Sequence, residues 1–65
     1  MKIIVNGDAR DVTAASLAAA LDELGFHGAV VATALNGEFV ASTARPGTSL
    51  AEGDRVEVLA PMQGG

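Results

Sequence analysis

The residues of this sequence able to do chemistry are few. It has no Cys, so no thiolate nucleophile and no persulfide can form on it. His27 is the single histidine and has no second His to pair with as a metal ligand. Asp22 and Glu23 fall on the polar face of an expected helix, where carboxylates are ordinarily solvated. Ser42 and Thr43 have no base beside them in sequence, and His27 after the helix end suits the helix dipole better than catalysis. No catalytic residue and no metal ligand is therefore expected. The reactive group left is at the end of the chain, which reads Pro61-Met62-Gln63-Gly64-Gly65.

A closing Gly-Gly is often only a frayed terminus. Here it follows a strand-like segment and a Pro, which cannot donate to a sheet ladder and so marks where pairing ends. Five extended residues reach about 17 Å, at ~3.3–3.6 Å each. Glycines without Cβ atoms can thread a narrow channel and take whatever backbone angles an active site requires. A carboxylate is a poor electrophile until one oxygen becomes a leaving group. Adenylation of Gly65 by a partner using ATP and Mg would supply that, and sulfur or another nucleophile could then displace AMP. No cofactor is expected on the chain itself.

Composition narrows the partners. The net charge is −4, and Lys2, Arg10, Arg45 and Arg55 form no run, which argues against nucleic acid. No apolar run approaches the ~20 residues that span a bilayer. The opening residues lack a signal peptide's length and cleavage site, so a cytoplasmic protein is expected. With 65 residues and neither disulfide nor metal, the fold must hold by packing alone, for which 49% hydrophobic residues suffice.

The elements that must carry the tail can be read in order. Lys2 to Asn6 is a β-branched run with Met1, Ile3 and Val5 on one face and Lys2, Ile4 and Asn6 on the other. Asn6-Gly7 predicts a hairpin turn into the polar segment Ala9 to Thr13. Leu17, Ala20, Leu21 and Leu24 are spaced as one helical stripe, with Ser16 as N-cap and Gly25 just past the end. Ala29 to Leu35 predicts a strand with neighbours on both sides, and Asn36-Gly37 a second hairpin through Glu38 to Ala41. Arg45-Pro46-Gly47 is expected to break the chain, and Leu50 to Glu52 to form one helical turn. Arg55 to Ala60 alternates, with Val56, Val58 and Ala60 inward.

Hairpin, helix, hairpin, short turn and final strand together describe an α+β fold, the β-grasp (ubiquitin-like) arrangement. A mixed four- to five-stranded sheet carries one main helix on one face, with the first and last strands parallel. Residues 1–60 form that domain and residues 61–65 a flexible tail.

On these residues the chain resembles the ThiS sulfur carriers of thiamin biosynthesis, within the ubiquitin-like superfamily shared with the molybdopterin carriers. The resemblance is carried by Met1 to Gly7, the Ser16-Leu17 helix start, Leu35 to Val40, Glu52 to Val58 and the closing Gln63-Gly64-Gly65. It implies that an E1-like adenylyltransferase of the ThiF type activates the Gly65 carboxylate. Sulfur relayed as a persulfide from a cysteine desulfurase then gives a thiocarboxylate. A thiazole synthase of the ThiG type takes that sulfur into the thiazole ring. The chain would be a co-substrate rather than an enzyme. Carriers of the same fold for tRNA thiolation, molybdopterin or cysteine synthesis, and ubiquitin-like protein modifiers, are the alternatives.

Ile4 and Leu59 both fall on the otherwise polar face of their strands. With those strands adjacent, the two form an expected apolar docking patch beside the tail, extended by Met62 and Gln63. Leu59→Asp is expected to weaken activation by the adenylating partner while leaving the fold intact. Unchanged activation kinetics would remove Leu59 from the docking surface.

Overall fold

The computed structural model describes residues 1–60. Local chemistry sets most element boundaries. β1 (Lys2–Val5) and β2 (Asp8–Asp11) pair antiparallel through Asn6 at φ 50° and Gly7 at φ 87°. Positive φ at both central positions matches the right-handed strand twist, and Asn and Gly tolerate it best. The same pair of angles recurs at Asn36 (50°) and Gly37 (87°), which join β3 (Ala32–Leu35) to β4 (Glu38–Val40).

Helix α1 (Leu17–Glu23) starts where Ser16 Oγ accepts from the Ala19 amide at 3.1 Å. It ends in a Schellman motif. Gly25, at φ 94°, donates to Asp22 O, and the Phe26 amide donates to Leu21 O. Phe26 then packs, half-buried, against the core.

The five strands form one sheet in the order β2-β1-β5-β3-β4, where β5 is Arg55–Leu59. The central pair β1 and β5 is parallel, with Ile4 opposite Arg55 and Val5 opposite Val56. β5 and β3 are antiparallel, from Leu35 opposite Val56 to Ala32 opposite Leu59. Ile3, Val5, Val56 and Val58 point to the inner face and are buried with Leu17, Ala20 and Leu21 of α1; Val12 and Leu50 complete the core. At roughly 25 cal/mol per Å² of apolar surface removed from water, this burial is the main force holding so small a chain together.

Three expectations are corrected. The strand predicted from Ala29 starts only at Ala32, and Val30 is 79% exposed. β5 ends at Leu59 opposite Ala32, so residues 29–31 have no ladder partner there. The Val31 carbonyl is instead taken by Arg45 Nη2 at 2.6 Å, and the Ala29 amide by Phe26 O. Ala60, expected to point inward, is exposed and outside the strand. The helical turn expected at Leu50 to Glu52 lies earlier, as a 3-10 helix at Ser42–Gly47 with Pro46 inside it. Ala51 to Asp54 is a turn instead, closed by Asp54 N donating to Ala51 O at 3.0 Å with Gly53 at φ 86°.

Polar groups near the core are paired. The buried Thr33 hydroxyl donates to Val40 O at 2.8 Å and accepts from Arg45 Nε at 2.9 Å. Glu23, in the last turn of α1, accepts from the Thr13 amide and hydroxyl and from the Ala14 amide, at 2.7–3.0 Å. The backbone N–H of Thr13 is the foremost cause holding the Glu23 carboxyl below the ordinary value of 4.5; the Thr13 hydroxyl follows. A carboxylate pKa depressed by folding stabilises the fold above 4.5, and that contribution fades as pH falls through the lower folded value. Glu23→Gln is therefore expected to melt below wild type at neutral pH. The difference should shrink as pH falls below 4.5 in melts followed by circular dichroism. A difference constant across that range would assign the loss to packing rather than to the carboxylate.

Candidate functional site

β5 is the last strand before residues 61–65, so whatever fixes β5 fixes the carboxyl-terminal end of the described domain. At its foot the Asn36 amide donates to Arg55 O at 2.7 Å, and the Asn36 side chain accepts from Arg55 N at 2.9 Å. Asn36 Nδ2 also donates to Asp54 Oδ1 at 3.1 Å, and Asp54 Oδ2 accepts from Ala51 N at 2.7 Å. These hydrogen bonds, Asn36's first, hold the Asp54 carboxyl below its ordinary value. On the opposite flank Asn6 N donates to Val56 O at 3.0 Å. The Asn6 carboxamide then accepts from Val58 N at 2.9 Å and donates to Val58 O at 3.0 Å.

The sequence marks both asparagines as turn residues only. Their second role, each clamping one flank of β5, depends on which strand lies beside each turn. Two identical Asn-Gly pairs at strand ends are the only signal of it in the sequence.

The outer face of the sheet carries the predicted docking residues, but not as one patch. Ile4 is half-buried opposite Arg55, whereas Leu59 is 67% exposed opposite Ala32. The β1–β5 register puts Leu59 four residues beyond Ile4's partner, roughly 13 Å away at ~3.3 Å per residue. Ile4 lines a shallow pocket of about 240 Å³ between the two Asn-Gly turns, with Arg55 and Glu57. Leu59 lines a separate apolar groove of about 260 Å³ with Val30, Val31, Ala32 and Ala60. Phe39, 74% exposed, stands opposite Ala34 on the same face. Val30, Phe39 and Leu59 are thus the three most exposed large apolar residues of the described chain. Met62, Gln63, Gly64 and Gly65 lie outside the described residues.

The remaining candidates are peripheral. His27 Nδ1 sits 3.1 Å from Asp22 Oδ1, both exposed, and Ser42 and Thr43 are exposed in the 3-10 helix. Among the described residues no group of three or more His, Asp or Glu could hold a metal ion. No helix among them is long and apolar enough to cross a membrane.

The ThiS family model matches residues 3–65, nearly the whole chain and its final Gly-Gly included. The chain belongs to the ThiS family. Its sheet order and single helix also match solved ThiS structures. A crystal structure of the thiamine biosynthesis protein ThiS from Geobacter metallireducens is 35% identical. That alignment covers 100% of both chains with a TM-score of 0.83. An NMR solution structure of a thiamine biosynthesis protein from the same organism is 33% identical, with a TM-score of 0.77. It is covered over 88% of its length by 100% of this chain. No protein of curated function matches. The β-grasp fold expected from the order of elements is thus the fold of this ThiS-family chain.

Proposed function

We propose that this ThiS-family chain is a sulfur carrier of thiamin biosynthesis whose working group is the Gly65 carboxylate. The family match running through Gly64 and Gly65 carries this reading. A carboxylate oxygen of Gly65 attacks the α-phosphorus of ATP on an E1-like, ThiF-type enzyme that also holds Mg. Pyrophosphate leaves and an acyl-adenylate remains. The outer sulfur of a persulfide, supplied from cysteine by a desulfurase, displaces AMP to form an acyl disulfide. A thiol reductant cleaves its S–S bond and leaves the thiocarboxylate. A ThiG-type thiazole synthase accepts that sulfur. The chain itself acts as a co-substrate, working in the cytoplasm with its partner enzymes.

The described domain supports this division of labour. Its polar side chains near the core are committed to structural hydrogen bonds, as with Thr33 and Arg45. Leu59 and Phe39 are exposed on the outer face of the sheet, and Val30 shares a groove with Leu59, a surface that suits recognition by a partner rather than chemistry.

Intact mass spectrometry of the protein isolated from its own sulfur-replete cells tests the reading. The expected species is heavier by the replacement of one oxygen with sulfur, and it disappears when Gly65 is deleted. Absence of that species in cells with an active adenylating partner would overturn the proposal.

A further inference from the structure

β1 turns away from β5 too early to cover it. The parallel ladder gives Ile4 N to Asp54 O at 2.8 Å and Asn6 N to Val56 O at 3.0 Å, after which the chain enters the Asn6-Gly7 turn. The next main-chain positions on that flank of β5 belong to Val58, one residue before Leu59 ends the strand. A longer β1 would have filled them. The Asn6 carboxamide fills them instead, presenting an acceptor and a donor to the Val58 N–H and C=O as a peptide group would. The left-handed backbone of Asn6 (φ 50°) turns its side chain along β5 while the main chain leaves. Without it, the last residues of β5 would be held on one flank only, by Ala32 and Thr33 of β3.

We infer that Asn6 is a positioning residue for the carboxyl terminus. Its carboxamide fixes the last main-chain groups of β5, the end of the described domain from which the chain continues to Gly65. This rests on the proposed activation of Gly65. The group acts through Val58 and touches no reacting atom. A loosened anchor at Val58 widens the range of positions from which the tail must reach the adenylating site, and so lowers the fraction of bound chains with Gly65 in productive geometry.

Asn36 supplies a matched control. It has the same φ of 50° in the same Asn-Gly turn and also clamps β5, but at Arg55, the end away from the tail. Asn6→Gly and Asn36→Gly both keep a left-handed turn and remove one carboxamide, so their losses of stability should be alike. Adenylation would be followed with the E1-like enzyme by ATP–pyrophosphate exchange, at a temperature where both variants are folded. Asn6→Gly should lower kcat by about tenfold or more. Its KM should stay within about twofold of wild type, because Leu59 remains paired to Ala32 on the outer face. Asn36→Gly should leave both constants within about twofold of wild type.

Amide hydrogen exchange gives a second readout independent of activity. Val58 N–H should exchange at least about tenfold faster in Asn6→Gly and unchanged in Asn36→Gly. Unchanged Val58 protection in Asn6→Gly, or equal kcat in the two variants, would overturn the inference. Wild type inert toward the adenylating enzyme would overturn the functional reading, and with it the role of Asn6 in that reaction. The exchange data would still decide whether Asn6 holds the end of β5.

Discussion

The placement of β5 between β1 and β3 is the constraint on which the rest of this structure depends. A strand with neighbours on both flanks has its main-chain groups satisfied along its length. β5 achieves this with a parallel partner, an antiparallel partner and two asparagine side chains. Parallel pairing of the first and last strands requires everything between them to cross over, and α1 makes that crossover pay by covering the inner face. Removing β5 would leave Ile3, Leu17 and Leu21 without Val56 and Val58 against them.

The same strand separates stability from recognition by its period of two. Val56 and Val58 enter the core, while Arg55, Glu57 and Leu59 face outward. A change at Leu59 therefore alters the exposed surface, and a change at Val56 acts on whether the domain folds. β5 is the last strand before residues 61–65, so Leu59, outward near its end, is the exposed large apolar residue of the described domain nearest in sequence to Gly65.

Features fixed by neighbours in sequence were legible from the residues. Asn6-Gly7 and Asn36-Gly37 form their turns with identical backbone angles, and Ser16 and Gly25 delimit α1 where local capping chemistry places them. The parallel pairing of the first and last strands followed from the element order. Features fixed by distant groups were not legible. The start of β3 at Ala32 depends on the end of β5 and on Arg45 reaching the Val31 carbonyl. The separation of Ile4 from Leu59 depends on the β1–β5 register, which no local motif encodes. The side-chain roles of Asn6 and Asn36 were hidden behind their turn chemistry, since the backbone demand alone accounts for Asn at both places. Of the site, the family motif ending in Gly64-Gly65 was legible, whereas the apolar surface including Val30 and Phe39 appeared only with the fold.

The central claim is that the chain contributes one reactive group, the terminal carboxylate of Gly65, and that the folded domain only presents it. The most direct test compares the natural chain with the same chain made as a C-terminal amide, both offered to the E1-like enzyme with ATP and Mg. The account predicts that the amide folds and melts like the free acid yet supports no ATP–pyrophosphate exchange, while the free acid does. Exchange sustained by the amide would place the activated group elsewhere in the domain and contradict the account.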